Sequence, residues 1–185
     1  MDKVKRILLL TDTFYLLAGG FLGPIYALYV QKIGGDILDA SISFALFMGT
    51  SGVVVFLFSL WEDKKKHLEK FVVIGYFLGV VGYAMYLFVD SPAFLFVVQI
   101  VLGLSAALKD PSYDALFSES GKKHLALSWG EWEAMDYFAL GAGALLGGYI
   151  VVAYGFETLL YIMLAASICS FLISLLLLKR RRKSK

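Results

Sequence analysis

The stretch Trp61-Glu62-Asp63-Lys64-Lys65-Lys66-His67-Leu68-Glu69-Lys70 decides how this chain is read. Seven of its ten residues are Asp, Glu or Lys. Apolar runs of about twenty residues flank it, the length a helix needs to cross the hydrocarbon of a bilayer. Charge at this density does not cross a membrane cheaply, so the island sits in water. The two flanking runs then enter the membrane from the same side as one helical hairpin.

The rest of the chain extends that pattern. Its 185 residues are 59% hydrophobic and 17% charged. Soluble domains are usually about 45–50% apolar. The excess lies in long blocks, which points to an integral membrane protein of one domain, residues 1–185. Six apolar runs are candidate helical spans, at 7–30, 39–60, 71–89, 92–110, 126–153 and 156–178. The alternating pattern of a membrane barrel is absent, so the expected class is all-α. Pro24 is expected to kink the first span, Pro92 to open the fourth, and Pro111 to end or bend it.

Sixteen of the seventeen Lys and Arg fall at one side of this topology; the exception is Lys32. The positive-inside rule then places both termini in the cytoplasm, in a multi-pass protein of the cytoplasmic (inner) membrane. The tail at 179–185 reads as a topological anchor or as a patch for anionic lipids. The single cysteine, Cys169, allows no disulfide or thiolate metal site within the chain. The basic N-terminus leads into a run that contains Asp12 and reaches Val30 without a small-x-small cleavage pattern, unlike a cleavable signal peptide. His67 and His124 read as loop residues. No Ser-His-Asp, Cys-His, metal or phosphate-loop constellation is present, so no enzyme, metal or cofactor is expected. No nucleic-acid partner is expected either.

Several polar residues lie where a membrane helix should have none. Asp12, Tyr15, Gly19, Gly23 and Tyr26 share one face of the first span. Such a stripe marks a substrate pathway or a hydrogen-bonded packing site. Gln99, Gly103, Ala106 and Asp110 form a similar stripe on the fourth span, with Lys109 and Asp114 at its end. The fifth span opens with Trp129-Gly130-Glu131-Trp132-Glu133-Ala134-Met135-Asp136. Its tryptophans suit interfacial anchoring, and Glu131, Glu133 and Asp136 suit a salt-bridged cytoplasmic gate or a proton site. Small-residue faces occur at Ala45, Gly49 and Gly52, at Gly75, Gly79 and Gly82, and at Ala139, Gly143 and Gly147. They allow close backbone approach in lipid but identify no function.

These residues are similar to the N-terminal six-helix half of a transporter of the major facilitator superfamily. Gly23-Pro24-Ile25-Tyr26-Ala27-Leu28-Tyr29-Val30 resembles the family's first helix. Asp63 and Lys64 match the acidic-basic pair of its loop motif, with Ser59 and Lys66 in place of glycines. Gln99-x-x-x-Gly103 stands where the family has Arg-x-x-x-Gly. The segment from Asp110 to Glu119 resembles the end of the family's fourth helix. Ala139-x-x-x-Gly143-Ala144-x-x-Gly147-Gly148 resembles the exporter motif, with alanines for one glycine and the proline.

The resemblance implies two inverted three-helix repeats. It further implies that helices one and four line a central cavity, two and five face the other half, and three and six lie outside. It marks Asp63, Lys64, Lys109, Asp114, Glu119, Glu131, Glu133 and Asp136 as candidates for the gate and loop motif. A lone six-helix half would expose Asp12, Gln99 and Asp110 on an open cavity wall. The expected assembly is a parallel homodimer with its axis along the membrane normal, transporting a small molecule by alternating access. Asp12 residues paired near that axis would bind a proton or a cation. Alternatives are a different six-helix partner, or an assembly or lipid-moving role on the same scaffold.

Overall fold

The computed structural model describes residues 3–62 and 67–181, with backbone alone at 59–62 and 180–181. Residues 63–66 of the charged island, Asp63 and Lys64 among them, lie outside the described residues. Every regular element among the described residues is helical. Helix α1 (Lys3–Leu22) and helix α2 (Tyr26–Lys32) form the first apolar segment. A 3₁₀ turn at Gly23–Ile25 joins them, where Pro24 cannot donate a backbone hydrogen bond. Helices α3 (Ile37–Glu62), α4 (Leu68–Met85), α5 (Pro92–Ser120) and α6 (Leu125–Arg181) follow.

Pro92 occupies the first turn of α5, where a missing N–H is harmless. Pro111 does not end this helix, which runs on to Ser120. An interior proline costs about 3 kcal/mol. Tyr113, Leu116 and Phe117 are buried beyond it. At about 1.5–3 kcal/mol for each large side chain taken from water, their burial offsets that cost.

Among the described residues, five helical segments are long and apolar enough to cross a membrane. The last is interrupted. Gly155 has φ 83° and ψ 170° inside α6, a backbone region essentially confined to glycine. A straight helix of 57 residues would be about 85 Å long at 1.5 Å per residue. Yet both arms of α6 return to α1. Ser128 meets Lys5 on one arm, and Ser170 donates to the Thr11 carbonyl on the other. The arms at 125–154 and 156–181 are therefore a helical hairpin folded at Gly155.

The core is layered along the helices. One apolar cluster contains Ile7, Leu8, Val72, Tyr76, Tyr113 and Leu177. The other contains Ala18, Phe21, Tyr83, Tyr86, Leu95 and Leu159. Between them, at intermediate positions on α1, α4 and α5, lie Asp12, Gly79, Ser105 and Lys109.

Close backbone approach makes the packing possible. A Cβ on Gly143 would lie 3.0 Å from the Gly20 carbonyl carbon, and one on Gly147 would strike the Phe21 carbonyl. The small face at 139–147 thus seats α1. A Cβ on Gly75 would lie 2.6 Å from Lys109 Cβ, which seats α4 on α5. Helix α3 is peripheral, with 6% of its apolar window buried. It touches α5 at Gly103, whose carbonyl accepts from Ser51 Oγ at 3.2 Å.

Candidate transport pathway

Asp12 is the hub of the polar layer. Its position on α1 puts the carboxylate between α4, α5 and the 125–154 arm. Oδ1 accepts from Tyr76 OH at 3.0 Å and from Lys109 Nζ at 3.1 Å. Oδ2 accepts from Trp132 Nε1 at 2.9 Å. Asp12 is 1% exposed. Such a charge is tolerable only when paired and hydrogen-bonded, and these three donors meet that need.

Lys109 is buried with it. Its ammonium also lies 2.7 Å from Asp110 Oδ1. It stands 5.0, 5.3 and 5.5 Å from the ring centres of Tyr15, Tyr76 and Tyr113. Those faces attract a desolvated cation. In the same layer, Tyr15 OH and Ser105 Oγ are 3.0 Å apart, and Ser105 donates to the Gly75 carbonyl.

Toward the N-terminal end of α1, Lys5 lies 2.6 Å from Glu131 and donates to Ser128 at 2.8 Å. It forms one wall of a cavity of about 610 Å³ with Glu119, Lys122, Lys123 and His124. Toward the other end, a cavity of about 270 Å³ is lined by Gly19, Gly23, Tyr26, Phe44, Tyr86 and Gln99, among others. Gln99 Nε2 donates to Tyr26 OH and Tyr86 OH, both at 2.8 Å. Gly19, Gly23 and Phe44 are exposed, so this cavity opens on the flank of the bundle.

A family model described as Major Facilitator Superfamily matches residues 8–185. The chain belongs to the major facilitator superfamily. It is accordingly a multi-pass membrane protein of a transporter family. It is 28% identical over 167 residues to an uncharacterized MFS-type transporter of Methanocaldococcus jannaschii. The match takes in 87% of this chain and 42% of that protein, so the chain spans less than half the relative's length.

In this superfamily member the sequence stripes divide. Gly19, Gly23, Tyr26 and Gln99 line the flank cavity. Asp12 and Tyr15 lie in the polar layer, Gly103 packs on α3, and Asp110 is exposed beside Lys109. The expected open-wall position of Asp12 is therefore corrected. Its donors enclose it within one bundle.

The glycines of α4 seat it on α5 and admit the Tyr15 ring of α1; its Tyr76 reaches Asp12, and Tyr86, in the turn that follows, reaches Gln99.

Among gate candidates, Lys109 turns inward to Asp12. Glu131 pairs with Lys5, and Glu119 lies 3.7 Å from Lys122 on an exposed surface. Asp114 and Glu133 are exposed and Asp136 is half-buried. Of the small residues, Gly143 and Gly147 meet α1, and Ala139 on the same face is buried. Ala45 is exposed, and Gly49, Gly52 and Gly148 would place a Cβ in open space.

Sequence reasoning missed Tyr76, Tyr86, Lys5 and Ser128, and read Trp132 as an anchor. A usable signal existed for α4: Tyr76 and Tyr83, seven apart, lie in step with Gly75, Gly79 and Gly82 on one helical face.

Proposed function

We propose that this chain is a six-crossing half of a small-molecule transporter, with both termini in the cytoplasm. Its hairpin at Gly155 supplies the fifth and sixth crossings. The working unit is two such bundles side by side, a second copy of this chain being the partner, and the two rock about a cavity between them. Transport is the coarser reading, carried by the family. The observation that supports the finer one is the Gln99 cavity, which opens on the flank of the bundle rather than into its centre. A pocket in that position is completed by something laid against it.

Asp12 and Lys109 act in this scheme as a latch between α1 and α5. Trp132 ties the 125–154 arm to the same carboxylate. A rearrangement within the bundle that separates these helices must break at least one of the bonds to Asp12, so the latch keeps each bundle rigid as it rocks. The alternative partner, a different six-helix bundle, would leave the same latch in place.

Accessibility tests the reading. In a Cys169→Ser background, Gly23→Cys should react with a membrane-impermeant maleimide added to either side of sealed vesicles. Reaction from one side only, under all conditions, would sink alternating access at this cavity. Native mass spectrometry of the chain in mild detergent should show a dimer; a monomer rejects the second copy as partner.

A further inference from the structure

We infer that the Gln99 cavity takes an uncharged molecule with a flat apolar or aromatic body and at least one hydrogen-bonding oxygen or nitrogen. This rests on the transport reading and names the substrate class for it. None of the described residues lining the cavity carries a charge. Five of them are aromatic: Tyr26, Phe44, Phe47, Tyr83 and Tyr86. An ion entering such a site gives up its water without gaining a counter-charge, a cost that neutral solutes avoid.

The bundle's buried charges do not reach it. Asp12 already holds three donors, and Lys109 already lies between two carboxylates. Asp12 is also about 10 Å below Gly19 along α1, at 1.5 Å per residue. Tyr15 and Tyr83 close the space between, in an edge-on contact with ring centres 6.0 Å apart. A Cβ on Gly19 would lie 3.4 Å from Tyr83 OH, so that ring forms the cavity floor.

The polar groups that do face the cavity are neutral. Gln99 spends its amide N–H groups on the hydroxyls of Tyr26 and Tyr86. Each hydroxyl thereby accepts a bond, and those of Tyr26 and Tyr86 are also within hydrogen-bonding reach of each other, so one proton of the pair remains to be donated. The Gln99 amide oxygen accepts no bond among the described residues and is free for a donor. The site thus offers a hydroxyl donor and an amide acceptor on an aromatic wall. An organic cation would want ring faces converging on it. Tyr83 and Tyr86 instead stack on one another, at 6.3 Å and 23°. The volume of about 270 Å³ suits a body of one or two rings, with the remaining wall supplied by the second bundle.

Three ligands with one ring system test this: 2-naphthol, 2-naphthoate and trimethyl(2-naphthylmethyl)ammonium, at neutral pH. Binding to the purified chain in nanodiscs is read by equilibrium dialysis, with uptake by empty nanodiscs subtracted. The naphthol should bind about tenfold or more tightly than either ion, the span of a single buried charge left unpaired. Gly23→Trp, which enters open space and fills the cavity, should remove that binding. Tyr26→Phe should weaken it about three- to tenfold, as for one lost hydrogen bond. Gln99→Glu should turn the preference toward the ammonium. Tighter binding of either ion by the wild-type chain overturns the inference, as does naphthol binding that survives Gly23→Trp. Saturable flux of an ion through the wild-type chain would overturn the substrate class while leaving transport standing.

Discussion

Replacing Lys109 with methionine keeps the length of the side chain and removes its charge. In the wild type, Lys109 Nζ is 3.1 Å from Asp12 Oδ1, and both side chains are almost fully enclosed, at 7% and 2% exposure. At an effective dielectric constant near 20, two unit charges at this separation attract by about 5 kcal/mol. Much of that attraction offsets desolvation already incurred. The measurable loss is therefore the cost of stranding one partner, about 3–5 kcal/mol. Asp12 would keep Tyr76 and Trp132, and each bond to a charged group is worth about 1.5–3 kcal/mol, so the lower end is expected.

Asp12→Leu should cost as much, because it strands the ammonium beside Asp110 alone. The double variant Asp12→Leu/Lys109→Met should recover most of the loss. An apolar pair of similar volume is often neutral or stabilising in place of a buried ion pair. Reversible unfolding in mixed micelles, followed by tryptophan fluorescence, gives all corners of the cycle. Single variants each within 1 kcal/mol of wild type, or a double variant as poor as their sum, would refute the buried latch; the threshold is about that of an exposed pair.

Other substitutions test the packing. Gly147→Val drives a side chain into the Phe21 carbonyl and should cost about 3 kcal/mol or more by the same unfolding measurement, as overpacking does. Gly148→Val, one residue on, meets nothing within the chain and should leave the monomer's stability within about 0.5 kcal/mol. Gly155→Ala forces a side chain at φ 83° and should destabilise by about 1–3 kcal/mol, with loss of the hairpin read by cross-linking of the two arms. Trp132→Phe keeps the ring but removes the donor to Asp12; it should cost about 1–3 kcal/mol, and a cost below about 0.5 kcal/mol would show the bond idle.

The helical class and the places where the chain turns were legible because length and hydropathy set them locally. The partners of Asp12 were not. The face carrying Asp12, Tyr15, Gly19, Gly23 and Tyr26 could be read from helical period alone. Which groups meet it depends on the rotation and register of α4 and the 125–154 arm. Small residues show the same limit. Gly143 and Gly147 contact α1, whereas Gly49 and Gly52, with similar spacing, have open space before them. Spacing permits a close approach without naming a neighbour. Of the two outcomes expected at Pro111, a stop is excluded: local propensity argues for one, and burial of Tyr113 and Phe117 further along overrides it. The hub was not legible because Lys109 has several carboxylates near its end of the bundle, Glu131, Glu133 and Asp136 among them, and only helix packing selects Asp12.

The central claim is that the Gln99 cavity is the route of transport. Liposomes reconstituted with this chain alone, preloaded with unlabelled 2-naphthol glucoside and given a labelled trace outside, measure counterflow of an uncharged aromatic solute too polar to cross the lipid. The expected result is saturable counterflow that Gly23→Trp abolishes while the variant stays folded. Counterflow unchanged by Gly23→Trp would contradict the claim, as would none above empty liposomes.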